Sequence, residues 1–195
     1  MDDVRNKTVY IVLSQTQTFP SKLIRLYTRK PYAHASLAFD ERLEEMYSFA
    51  RRGIWNPFNA GFIREYIYEG IFGKFTDTKC CVYRVNVNEE QYNKIRGTVK
   101  EFIENSGSYS YNYIGVIGVA INYPITRSKR YFCSQFVAYV MEMAGINTTG
   151  KIPALVTPDD IAKCKELEPI YVGRLHEYRN YISEYNTQMD DIRTA

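Results

Sequence analysis

The sequence predicts an α+β protein, and three observations carry that reading. Residues 8–14, 33–39, 44–50 and 80–86 follow the period-two pattern of half-buried strands. Helix starts stand before residues 89–104, in the run that opens at Cys133, and at Thr157. Strand and helix signals alternate along the chain with no repeat, low-complexity tract or linker between them, so the 195 residues read as one domain with a polar tail from about residue 174.

Taken in order, residues 8–14 form an apolar strand, and a short helix is expected over 21–27. Two strands follow at 33–39 and 44–50. The Gly- and Pro-containing stretch 51–61 is a loop, and its Trp55 either lines a cleft or plugs the loop onto the core. Residues 62–68 satisfy strand and helix patterns equally. A strand over 80–86 places adjacent Cys80 and Cys81 on opposite faces. It leads to Asn88, whose side chain, with Gln91 three residues later, forms a capping box for a helix ending before Gly107. The segment 113–121 is an uncharged apolar helix, read as a core element. Residues 133–144 form the next helix, stopped by Gly145. Thr157 caps another that has Pro158 in its first turn. A last strand over 168–172 precedes a polar, tyrosine-bearing tail, in which residues 175–180 read as a charged, exposed helix and His176 as solvated.

Composition limits the function classes. Hydrophobic content of 45% and charged content of 24% are those of a globular chain, and a net charge of +3 is too small and dispersed for nucleic acid. The charged N-terminus is no secretory signal, and no apolar run has spanning length. The sequence as written is therefore expected in the cytoplasm without stable membrane insertion, export staying open had a leader been removed. No Cys-x-x-Cys or His-x-x-x-His pair occurs, so no structural zinc site is expected. Eighteen tyrosines accompany a single tryptophan. Oligomeric state is not readable.

Cys133 is the candidate nucleophile. It opens a helix, where the positive end of the dipole and unpaired N–H groups favour thiolate over thiol. It also shares a stripe with Phe136, Val137 and Val140, where a cysteine is often a small hydrophobe. Only two histidines can serve it as base. His34 lies in Pro31-Tyr-Ala-His-Ala-Ser-Leu-Ala-Phe39, where Ala33, Ala35, Leu37 and Phe39 form one face. His34 points to the opposite face, with Tyr32, Ser36 and Ala38.

Four stretches in this order carry a resemblance. They are residues 8–25, Tyr32-Ala-His-Ala-Ser36, Gly107-Ser-Tyr-Ser-Tyr111 and Tyr131-Phe-Cys-Ser-Gln-Phe-Val137, with Thr157-Pro-Asp-Asp160 after them. Across residues 8–172 the chain resembles the circularly permuted, YiiX-like branch of the bacterial NlpC-type, papain-like cysteine hydrolases. The resemblance implies an antiparallel sheet packed against helices, with the nucleophile at a helix N-terminus and the histidine strand ahead of it. Catalysis requires only that the side chains meet, so the permuted order is no obstacle.

The resemblance also implies a third group, supplied by the strand after the histidine. By alignment it falls on Ser48, with Glu44 or Glu45 instead if the register slips. Tyr32 and Tyr109 are the candidate oxyanion donors, beside the N–H of Cys133. The implied reaction is acyl transfer through a Cys133 thioester with His34 as base and no metal or organic cofactor. The implied substrate is a peptide or cell-wall peptide amide, making the chain a cysteine peptidase or amidase. Lipid acyl hydrolysis or transfer on the same site, or a non-catalytic peptide-binding module, are the alternatives.

Overall fold

The computed structural model describes residues 7–15, 31–53, 56, 58–147 and 149–194. The helix expected over 21–27 and the placement of Trp55 lie outside them. The architecture is α+β, as the sequence predicts: an antiparallel six-stranded sheet packed against helices.

The sheet runs β4 (Ala60–Glu65), β3 (Met46–Arg51), β2 (His34–Ala38), β1 (Lys7–Gln15), β5 (Lys79–Val87) and β8 (Glu168–Arg174), every neighbour antiparallel. A small parallel ribbon joins β6 (Ser110–Tyr111) to β7 (Arg130–Tyr131). Of the ambiguous stretch 62–68, residues 62–65 are the end of β4, in a ladder whose register pairs Met46 with Glu65, and residues 66–68 turn away from the sheet.

Strand alternation gives the sheet two covered faces. Val9, Ile11, Leu13, Ala35, Leu37, Phe49 and Val85 face the larger core. There they meet α2 (Glu89–Glu104), through Ile95, Val99 and Phe102, and α4 (Cys133–Met143), through Phe136, Val137 and Val140. Tyr10, Val12, Ala38, Met46, Cys80 and Val82 face a second cluster. That side is covered by Phe72 of the short α1 (Gly70–Lys74) and by Tyr178 and Ile182 of α6 (Tyr178–Thr194). Cys80 and Cys81 occupy opposite faces, as alternation requires.

Two expectations are corrected. The helix after residue 174 is docked on the sheet rather than exposed: Leu175, Tyr178 and Ile182 supply the apolar stripe that holds it. His176 sits in the turn before that helix, where its ring N–H donates to the Phe72 carbonyl at 3.0 Å and its edge meets Tyr68. It is a structural tie rather than a solvated group.

The helix α3 (Tyr113–Ala120) departs further from its expected place in the core. Only Gly115 and Gly118 of it are buried. Each lies against the protein so closely that a Cβ would clash, at 2.3 Å from Asn112 Nδ2 and at 2.5 Å from the Tyr123 carbonyl respectively. The packed stripe is therefore the glycine stripe, and the bulky residues Ile114 and Ile117 turn outward.

Candidate active site

Cys133 and His34 meet where the sheet opens. Strand β2 pairs with β3 only through Leu37–Tyr47 and Ala38–Met46. The Phe39 N–H donates to the Glu45 carbonyl on that side, so by alternation the Ala35 N–H points the same way, beyond the last pair. The Cys133 sulfur takes up that vacated N–H as it reaches down from the start of α4. This places it beside His34, the first residue of β2, close enough for each side chain to shift the ionisation of the other. Cys133 and His34, singled out separately in the sequence, are thus neighbours in the fold.

The third partner is Glu65, at the end of β4. His34 Nε2–H donates to Glu65 Oε1 at 3.0 Å and lies 3.2 Å from Oε2. Nδ1 is the ring nitrogen left to the thiol. The Ser36 hydroxyl, on the same face of β2, donates to Glu65 Oε2 at 2.6 Å. His34, Ser36 and Glu65 are all buried, and Phe72 roofs the imidazole with ring centroids 6.2 Å apart.

Ser48, the expected orienting residue, lies on the correct face but does not bond the imidazole. Its buried hydroxyl has no hydrogen-bond partner, although it faces the Glu65 carboxylate and helps keep it ionised. The register explains the substitution. Glu65 stands opposite Met46, diagonal to Ser48, and a glutamate is long enough to extend past β3 to β2. A serine on β3 is not. Glu44 and Glu45 fall in the turn before β3, which begins at Met46. Glu44 pairs with Arg42, and Glu45 with Arg96 and the Tyr47 hydroxyl. A lone carboxylate between Ile63 and Ile67 at period two was the signal for Glu65 in the sequence.

The trio shares charge. Burial opposes ionisation of His34, yet the Glu65 carboxylate and the Cys133 thiol outweigh it and raise the imidazole pKa to about 10. Burial would likewise raise Glu65, but His34 and then Ser36 hold it below its ordinary value. Cys133 is also held below the ordinary thiol value. Burial is more than offset by His34 and by the N–H groups of Ala35 and Ser134. The other cysteines move the opposite way. Burial pushes Cys80 up to about 12 and Cys164 up to about 11, and it raises Cys81.

The first turn of α4 is left open on the sulfur side. Phe132, at the cap position, offers no side-chain acceptor, and Gln135 turns back to accept from the Phe132 N–H at 3.4 Å. Tyr111 occupies the space so created. Its hydroxyl lies beside the thiol and the backbone N–H of Cys133, and burial drives its pKa well above the usual value, so it stays a protonated donor.

The two tyrosines expected there are placed otherwise. Tyr109 packs its ring on Phe102 at 4.6 Å and on Phe49 and Tyr131, within the larger core. Tyr32 lines the cleft, but its hydroxyl is turned to the Cys81 thiol. Tyr109 belongs to the turn that precedes β6, and its ring is held in the aromatic core, whereas Tyr111 lies within β6 beside Cys133.

Above Cys133 lies a cleft of about 670 Å³. Val116, Ile117, Val119 and Ala120 of α3 form one wall, and Val156 and the start of α5 (Pro158–Ala162) form the other. The charged residues on the second wall are matched: Lys151 with Asp160 and Lys163 with Asp159, each at 2.7 Å.

No protein-family model matches the sequence, and no curated protein matches it. Among solved structures, the crystal structure of the metalloprotein YiiX from Escherichia coli O157:H7 aligns with 86% of this chain and 98% of that one. The TM-score is 0.58 at 18% sequence identity, so what this chain has in common with YiiX is its fold.

Proposed function

We propose that the chain is a thiol-dependent acyl hydrolase, cleaving an amide or ester bond through a Cys133 thioester. The observation that carries this reading is the buried chain Cys133–His34–Glu65 at an open helix N-terminus on the floor of a cleft. A lowered thiol, a raised imidazole and a lowered carboxylate describe a thiolate–imidazolium pair steadied by a carboxylate, which is an activated nucleophile with its acid already charged.

In this mechanism the Cys133 sulfur attacks the carbonyl carbon. The oxyanion displaces the Tyr111 oxygen from the Cys133 N–H and receives hydrogen bonds from that N–H and from the Tyr111 hydroxyl. The His34 imidazolium protonates the departing amine or alkoxide as the C–N or C–O bond breaks. Water then enters, His34 takes its proton, and the hydroxide attacks the thioester, releasing the acid and restoring the thiolate. Glu65 holds the ring orientation through both halves and stabilises the imidazolium, while Ser36 fixes the carboxylate.

YiiX is described as a metalloprotein. In this chain His34 stands between the thiol and the carboxylate, with one nitrogen toward each, so the three do not converge on a point. Among the described residues no group of three His, Cys, Asp or Glu side chains is placed to hold an ion. No step is therefore routed through a metal.

Both a peptide amide and a lipid acyl bond fall within this chemistry. The cleft favours the lipid: its α3 wall is apolar, and the charges on its other wall are engaged with each other rather than available to a charged peptide. The test is trapping of the acyl-enzyme. After brief exposure to activated esters of short and long acyl chains and to peptide anilides, intact-mass and peptide analysis should find the acyl group on Cys133. Hydroxylamine should release it, as a thioester requires. Acylation elsewhere, or turnover that survives Cys133→Ala, would remove the proposal.

A further inference from the structure

An apolar helix that turns its isoleucines to solvent beside a catalytic cleft needs an occupant for its exposed face. From Asn105 to Thr126 the chain carries no charged residue. Within that stretch Ile117 is 60%, Ile121 65% and Tyr123 63% exposed. Phe58, 80% exposed, continues the patch through its ring contact with Tyr113. Folding does not bury this surface because Gly115 and Gly118 occupy the side of α3 that packs.

Cations bracket the patch. Arg51 lies within electrostatic range of Tyr113 at the start of α3, and exposed Arg127 and Lys129 follow at its far end. With no acidic side chain between Asn105 and Thr126, apolar surface and flanking positive charge together match the boundary of an anionic bilayer. The helix has eight residues, about 12 Å at 1.5 Å per residue, so it can lie in the interface but not cross it. No helix among the described residues is long and apolar enough to cross a membrane.

We infer that α3 and the segment after it seat this protein peripherally on an anionic lipid surface. Ile117 belongs both to the exposed patch and to the wall of the cleft above Cys133, so the seated face continues into the catalytic cleft. A second copy of the chain fits less well, since a two-fold pairing would bring the same cations toward one another. The inference rests on α3 rather than on the catalytic groups, and its failure leaves the thioester chemistry standing.

The experiment is vesicle co-sedimentation with the full chain. Vesicles of phosphatidylcholine alone are compared with vesicles containing one part in three phosphatidylglycerol, at low and high salt. The protein should sediment with the anionic vesicles, and binding should weaken with salt. Arg127→Glu with Lys129→Glu should weaken binding by about thirtyfold or more, from roughly fivefold per cation. Ile117→Asp with Ile121→Asp should abolish it while leaving circular dichroism unchanged, because both side chains are already exposed. Cys133→Ala should bind as the unaltered protein does. Absence of binding to anionic vesicles overturns the inference. So does binding that neither pair of substitutions alters, or a dimer in sedimentation velocity that Ile117→Asp dissolves.

Discussion

Two helix N-termini in this protein are built from similar parts and finished differently. Helix α2 starts at Asn88, whose side chain accepts from the Gln91 N–H at 2.8 Å while Gln91 accepts from the Asn88 N–H at 3.0 Å. Helix α4 also has a glutamine three residues after its cap position, and Gln135 makes the same backward bond. Its cap residue is Phe132, which cannot return one. The first end is closed for stability. The second keeps N–H groups for a thiolate, a tyrosine hydroxyl and, in the proposed reaction, an oxyanion. In the proposed reaction, an absent cap next to a cysteine thus separates a helix end that serves the fold from one that serves chemistry.

Substitutions at the open end should remove activity and spare stability, in a graded order. Cys133→Ala is expected to reduce turnover to background, a fall on the order of 10⁵–10⁶, measured by release of acid from the best ester found. Tyr111→Phe removes an oxyanion donor and should lower kcat by about 10²-fold or more, with little change in KM. If Tyr111→Phe matches the unaltered protein, the hydroxyl is packing and the open end is less special than proposed.

Glu65→Gln should cost about a hundredfold in kcat/KM, the value of one charge-assisted hydrogen bond. It should also narrow the pH profile. The ion-paired form spans the interval from the lowered Cys133 pKa up to that of His34, near 10. Because the folded His34 pKa is raised, its contribution to stability is complete below about 6.5 and is lost as pH rises toward 10. Without Glu65 that alkaline limb should move to lower pH, for activity and for thermal stability alike. An unmoved limb would place the orienting role elsewhere.

The closed end supplies the smallest effect and the control. Asn88→Ala should lower stability by about 1 kcal/mol, seen as a small fall in Tm, while kcat and KM stay unchanged. Loss of activity there would mean that the two ends are not as separable as their caps imply.

The sequence showed what is local and hid what is not. Cys133 was legible because a helix start and an apolar stripe are written in consecutive residues, and His34 because alternation assigns its face. Glu65 depended on the register of β4 against β3, across a stretch whose pattern suits two structures equally, and on side-chain length reaching across a strand. Ser48 lay on the right face for the same reason that made it plausible, yet its hydroxyl is too short. Tyr111 was missed in favour of Tyr109 because the two lie two residues apart in one motif, and only the aromatic core that holds the Tyr109 ring separates them. In α3, hydrophobicity suggested burial, whereas the Gly115 and Gly118 pair already marked the side that packs.

The central claim is that Cys133 rests as a thiolate held by His34, Glu65 and the open start of α4. Alkylation by iodoacetamide, followed peptide by peptide across pH, tests it most directly. Cys133 should be modified first among the four cysteines, with a rate midpoint well below the ordinary thiol value of about 8.5 and a shift upward in Glu65→Gln. Earlier modification of Cys80, Cys81 or Cys164, or a Cys133 midpoint at or above the ordinary value, would contradict it.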